Sequence, residues 1–220
     1  MDPLIAIALL GTGPALYGVS CLPEVRGLHD WLYPGALFRT DHPHVVLTFD
    51  DGPDPERTPR LLDALAAANA RAVFFVVGER ASQHPKLIER MAREGHQVEN
   101  HSWSHPWMPI RSTRRIETEV DRCQALIEEL TGEAPRFMRP PYGQRDFRLY
   151  RVLAEREITP VLWTRSLRDY YHTKPATLVR RLSRARPGDI VMCHDGDPLA
   201  PHTATAIETW LGSEPRVGPL

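Results

Sequence analysis

Residues 45–53 read V-V-L-T-F-D-D-G-P, and no other stretch restricts the fold of this chain as tightly. Val45, Val46, Leu47 and Phe49 make a short apolar run of the kind that forms a buried strand. It stops at two adjacent carboxylates, Asp50 and Asp51, followed by the turn-forming pair Gly52-Pro53. Successive strand residues face opposite ways, so the two acids can hold different tasks. Two negative charges side by side are costly without a cation or a shared proton. The pair is therefore either part of a site or a solvated strand-to-helix turn with an Asp as helix cap.

From residue 45 onward, apolar runs and helical periodicity alternate. Helices are expected over residues 56–68, 86–94, 147–156 and 175–184, and a last one includes 204–211. The strongest helix signal opens at Ser112 as N-cap, carries Ile116, Val120, Cys123, Ile127 and Leu130 at three-four spacing, and stops at Gly132. Strands are expected at 71–77, 96–99, 136–139, 158–163 and 190–193. Alternation of this kind specifies an α/β fold with a parallel sheet.

With 220 residues, 42% apolar and 25% charged, the chain can bury a full core as one medium domain. A net charge of −1 gives no electrostatic case for nucleic acid. Three cysteines without a C-x-x-C pair exclude a disulfide framework and a cysteine zinc site. Residues 1–44 read as an N-terminal apolar segment and linker, and 45–220 as the domain. The uncharged stretch 3–23, with L-I-A-I-A-L-L near its start, is long enough for a membrane anchor or export segment. The lack of a basic start and the breaks at Gly11, Gly13 and Pro14 keep a buried apolar arm as the alternative.

Several polar residues fall at or just past predicted strand ends: Asp50, Asp51, His101, Arg139 and His194. In a β/α barrel that edge is where active sites are assembled. His101 and His105 are four apart and can chelate one cation from a single turn, although the spacing alone is a weak signal. Two histidines and a carboxylate leave an open position on a divalent ion. Arg139, stiffened by Pro140-Pro141, is either a loop-capping surface residue or an arginine that orients a carboxylate by paired hydrogen bonds. Asp169 could pair with it. His194 ends an apolar strand, a place for a histidine of shifted pKa or a structural one.

In these motifs the chain resembles the polysaccharide deacetylases of the NodB homology type, carbohydrate esterase family 4, over about residues 45–211. The resemblance implies a distorted (β/α) barrel of about seven parallel strands. T-F-D-D-G-P at 48–53 is similar to the first family motif, which implies Asp50 as general base and Asp51 as metal ligand. H-S-W-S-H at 101–105 resembles the second, which makes His101 and His105 the other ligands. R-P-P-Y-G at 139–143 resembles the third, with Arg139 orienting the base and the Tyr142 amide holding the oxyanion. I-V-M-C-H at 190–194 resembles the fifth, implying His194 as general acid and Ile190 and Met192 as the pocket for the acetyl methyl.

The fourth motif departs. Ser166 stands for its first Asp and Tyr170 for its Trp, while Asp169 keeps the position that pairs with the arginine. The groove wall at Tyr170, and with it the substrate, is where this chain should differ. The implied activity is metal-dependent removal of acetyl from N-acetylated sugars of a chitin- or peptidoglycan-like polymer. The implied cofactor is one divalent ion, zinc first, with cobalt or another as alternatives. Cleavage of an O-acetyl ester or a sugar formamide is the runner-up, and a glycan-binding module without turnover the alternative outside enzymes. The cell envelope is the expected location, the cytoplasm the alternative. If residues 3–23 direct the chain to the envelope, a version beginning near residue 24 should stay soluble and unexported while the full chain fractionates with membrane or medium. Identical fractionation of the two would place the segment within the fold.

Overall fold

A computed structural model describes residues 35–144, 146–171 and 173–220. The apolar stretch 3–23 lies outside them. Among the described residues no helix is long and apolar enough to cross a membrane.

The elements follow the expected alternation. Strand β1 (Val45–Asp50) leads to α1 (Arg57–Ala67), and β2 (Val73–Val76) to α2 (Gly78–Gln83) and α3 (Pro85–Arg93). Strand β3 (Gln97–Asn100) precedes the long α4 (Thr113–Thr131). Then come β4 (Phe137–Met138), α5 (Phe147–Glu155), β5 (Thr159–Pro160) and β6 (Arg165–Ser166). The chain closes with α6 (Pro175–Leu182), β7 (Ile190–His194), α7 (Thr203–Leu211) and β8 (Val217–Gly218). Helix α4 starts and stops as its sequence dictates. The Ser112 side chain accepts a hydrogen bond from the Arg115 amide, and Gly132 takes the left-handed conformation at φ 78° that ends the helix.

The sheet is parallel throughout, in the order β5-β4-β3-β2-β1-β7-β6, with the two-residue β8 added to the lower end of β1. It curls into a barrel whose open side lies between β5 and β6. Residues 37–40, from the stretch read as linker, reach into that gap. Leu37 bridges Val161 in parallel and Arg39 bridges Asp189 in antiparallel sense. Asp189, fully buried, is held by Arg39 and Arg165 at 2.7 and 2.6 Å.

Two local expectations change. The strand expected over 158–163 is only two residues long, because the carbonyls of Val161 and Leu162 accept hydrogen bonds from a side chain, Arg139. The chain then re-enters the sheet as β6, which the sequence did not announce. Helix α2 was also unannounced: six residues are too few for a periodic pattern.

Alternation along the strands sorts the core into two faces. Leu47, Phe49, Phe74, Val76, Val191 and Cys193 pack outward beneath the helices. Val46, Val73, Phe75, Ile190 and Met192 fill the barrel interior with Val161 and Trp163. On β1 the inward row therefore runs Val46, Thr48, Asp50, so the polar residues occupy the top of an otherwise apolar barrel. Phe74 is fully buried and stacks on Phe49 at 5.2 Å between centroids. Phe74→Ala should cost about 3–5 kcal/mol in urea unfolding. A loss under about 1 kcal/mol would mean this face is not the packed core.

Candidate active site

Strand register brings the candidate residues to one edge. Asp50, last on β1, is the lateral neighbour of His194, last on β7. Asn100 ends β3 opposite Met138 on β4, so the next residues, His101 and Arg139, emerge side by side. All of them leave the carboxyl ends of parallel strands.

Arg139 is the centre of the cluster. Its side chain is fully buried, and Nη1 donates to Asp50 Oδ1 and Thr48 Oγ1, both at 2.6 Å. Nε and Nη2 donate to the carbonyls of Val161 and Leu162, and the guanidinium lies over Phe75 at 4.3 Å. Asp50 is thereby paired and aimed. The Arg139 carbonyl also accepts from His101 Nδ1 at 2.7 Å. With its proton on Nδ1, the ring keeps an Nε2 lone pair for another task.

That lone pair meets Asp51. Asp51, His101 and His105 each present a ligand atom within 4.8 Å of the others. His101 Nε2 and His105 Nε2 lie 3.5 and 3.2 Å from Asp51 Oδ1. Two donors each ~2.1 Å from one tetrahedral zinc ion lie about 3.4 Å apart, so the set fits such an ion. The protonation states fit as well. Burial, followed by neighbouring His101, pulls His105 down to about 4, which leaves its ring neutral near pH 7. Burial pushes the Asp51 carboxyl up, but the neighbouring imidazoles, His101 first, outweigh it and hold it below the usual carboxylate range.

Asp169 is placed differently from expectation. Its hydrogen bonds go to His194, not to Arg139: Oδ1 faces His194 Nδ1 and Oδ2 accepts from the His194 amide, both at 2.8 Å. Thr203 Oγ1 donates to the same Oδ2 at 2.7 Å. The physical reason is register. Asp169 leaves β6, which is paired to β7, whereas Arg139 points across to β1. Asp169 therefore orients the imidazole. Burial works against a charged His194, but the Asp169 hydrogen bond and charge, with Asp50 and Asp51, raise it to about 9.

Of the expected pocket residues, Met192 lies one inward position below His194 and pairs with Thr48. Ile190 is not brought to the site. It pairs with Val46, about 13 Å down the strand from His194, and is wholly buried in the barrel interior. Tyr170 stands edge-on to His194 at 5.2 Å. Tyr142 sits at φ 58° in a 3-10 turn, its half-exposed ring 4.4 Å from His105 and 5.5 Å from Trp107.

Sequence reasoning missed three contributors. Thr48 shares Nη1 of Arg139 with Asp50, and it sits within the very motif that was read. Arg80, on α2, donates to the Asp51 carbonyl at 2.6 Å and gave no signal in a helix too short to detect. Asp195, next to His194, is a third buried carboxylate, held by Thr58 Oγ1 at 2.5 Å and raised to about 7, chiefly by burial. Gly52 is needed beside it, since a Cβ there would run into the Asp195 carboxylate.

The His194–Asp169 pairing makes a signed prediction. A histidine raised from 6.5 to about 9 adds stability fully present below pH 6.5 and lost as pH rises through about 9. Asp169→Asn should lower the His194 pKa toward 6.5, read by NMR titration of the imidazole. An unmoved titration would remove Asp169 as the cause.

Comparison with known proteins agrees with this geometry. Residues 39–161 match the polysaccharide deacetylase family. The chain is 36% identical over 169 residues, 76% of its length, to the peptidoglycan-N-acetylglucosamine deacetylase PgdA of Listeria monocytogenes, of which it spans 35%. It is 38% identical over 171 residues to the chitooligosaccharide deacetylase of Sinorhizobium fredii, covering 77% of this chain and 80% of that protein. Among solved structures, the Bc1960 peptidoglycan N-acetylglucosamine deacetylase superposes with a TM-score of 0.80 at 29% identity, over 84% of this chain and 91% of the other. A parallel, curled sheet with its polar residues at the carboxyl edge, matched over more than half its length, places this chain in the polysaccharide deacetylase family.

Proposed function

We propose that the chain is a metal-dependent hydrolase that removes acetyl groups from the N-acetylated sugars of a peptidoglycan- or chitin-like polymer. One observation carries the reading: Asp51, His101 and His105, a set that could hold an ion, stand at the same strand edge as an arginine-held carboxylate and a carboxylate-held histidine. A binding module has no use for that separation of base and acid. The relatives' substrates support an N-acetylated glycan and a place of action at the cell envelope.

In this reading a divalent ion, zinc by its histidine-rich ligand set, supplies Lewis acidity for the acetyl carbonyl and for the attacking water. Asp50, fixed by Arg139, takes the water's proton. The Tyr142 amide donates to the carbonyl oxygen as it gains charge. His194, its Nδ1 held by Asp169, delivers a proton from Nε2 to the departing sugar nitrogen, without which the amine is a poor leaving group. Met192, one inward position below His194, would line the place of the acetyl methyl.

Acetate release from a chitin oligomer, peptidoglycan and acetylated xylan, with and without a chelator, tests this function. Release from the first two and its loss on chelation is the expected result, and release from xylan alone would make the chain an ester hydrolase. The adjacent acids should fail in different ways. Asp51→Asn should lose metal and activity together and recover partly at high metal. Asp50→Asn should keep its metal while turnover falls by roughly 10² to 10⁴. The reverse pattern in elemental analysis would exchange the two roles.

A further inference from the structure

The turn that carries Asp50 and Asp51 is held by its carbonyls, one after another. The Asp50 carbonyl accepts from the amides of Asp195 and Gly196, at 3.2 and 3.4 Å. The Gly52 carbonyl accepts from the Val77 amide at 2.9 Å. Between them, the Asp51 carbonyl accepts from Arg80 Nη1 at 2.6 Å, and the same nitrogen donates to the Gly196 carbonyl at 2.7 Å. An Nη1 carries two hydrogens, so it can serve both carbonyls at once. Of these three supports, Arg80 is the one provided by a side chain.

It also acts where support is most needed. Asp51 lies at φ 70°, a left-handed conformation that disfavours a residue with a Cβ. Such residues persist only where the surroundings over-determine them. Gly196 completes the fit, because a Cβ there would run into the Asp51 carbonyl and the Arg80 guanidinium. The same helix reaches the other ligand loop: the amides of Gly78 and Glu79 donate to the carbonyls of Ser102 and Trp103, at 3.0 and 2.8 Å. Helix α2 thus stands between the turn of Asp51 and the loop of His101 and His105, and Arg80 adds the end of β7, where His194 sits.

We infer that Arg80 is a positioning residue that sets ion affinity by clamping the Asp51 and Gly196 carbonyls. The inference rests on the ion site of the proposed function. It makes a prediction of definite sign, since the Arg80 charge acts the other way. Its guanidinium, 2.6 Å from the Asp51 carbonyl oxygen, repels any cation held at the Asp51 carboxylate. If charge were all that Arg80 contributed, removing it would tighten ion binding. If the clamp dominates, removing it loosens binding.

The test is zinc affinity of the full chain, measured by competition with a chromogenic chelator, beside a thermal melt. Arg80→Met, which fills similar space without donors, should weaken zinc binding about 10- to 100-fold, the usual effect of losing a group that orients a ligand. Arg80→Gln, too short to span both carbonyls, should do the same and serves if the Met variant does not fold. Arg80→Lys should recover part of the loss, because Nζ also has more than one hydrogen to donate. Parent-like or tighter binding in a folded Met or Gln variant overturns the inference. A parent that binds zinc and releases acetate while its variants bind equally well leaves the proposed function standing and removes only the clamp. A parent that binds zinc without releasing acetate fails the function and leaves the clamp to be judged on affinity. A parent that takes up no zinc overturns both.

Discussion

A guanidinium with no exposed surface sits in the mouth of this barrel, and much of the architecture can be read as the means of keeping it there. Burying a charge costs several kcal/mol unless an opposite charge and enough hydrogen bonds come with it. Arg139 has them from three directions: Asp50 and Thr48 on β1, the carbonyls of Val161 and Leu162 beyond β5, and the ring of Phe75 on β2. These contacts bind opposite walls of the barrel through its interior. They also explain why β5 is so short, since its last carbonyls face a side chain and not a neighbouring strand. The outward carbonyl of the same residue fixes the tautomer of His101. One residue thus links the fold, the carboxylate and a histidine of the candidate ion site.

Around that anchor the backbone is strained in a few places, and four of them belong to the site. Asp51, Ser102, His105 and Tyr142 have φ of 70°, 67°, 54° and 58°. Each left-handed residue costs of order 1–3 kcal/mol, and such strain concentrates where side chains must converge. The loop of the two histidines is tied down accordingly. Asn100 accepts from the Ser102 amide and donates to the Val120 carbonyl on α4. Both oxygens of buried Glu119, also on α4, accept from Ser104. Helix α4 therefore serves as a fixed wall against which the loop of His101 and His105 is set.

Much of this was legible in the sequence. The strand that ends in Asp50, the capped helix after Ser112 and the parallel alternation all rest on local patterns, which one stretch of chain contains in full. Residues at strand ends could be gathered to one edge because a parallel sheet offers only one such edge. What escaped depends on which strand lies beside which. Asp169 turns to His194 because β6 neighbours β7, and β6 is two residues without a pattern of its own. Ile190 and Met192 look alike in the motif, and only the register shows one at the rim and the other deep inside. Arg80 and Thr48 act through carbonyls and a hydroxyl, contacts that leave no periodic trace.

The parity of strand β7 has a further consequence, for metal selection. Cys193 and His194 are consecutive, and the pleat sends the imidazole into the barrel mouth and the thiol beneath the helices. Cys123, which donates weakly to the Val76 carbonyl, is on the same outer side. Burial raises both thiols far from ionisation, Cys123 to about 12. A thiolate is a soft ligand that would favour copper(I) or lock zinc into a closed structural site. The sheet thus keeps these two thiols on its far side from the Asp51, His101 and His105 cluster. It also leaves both thiols inert toward oxidants.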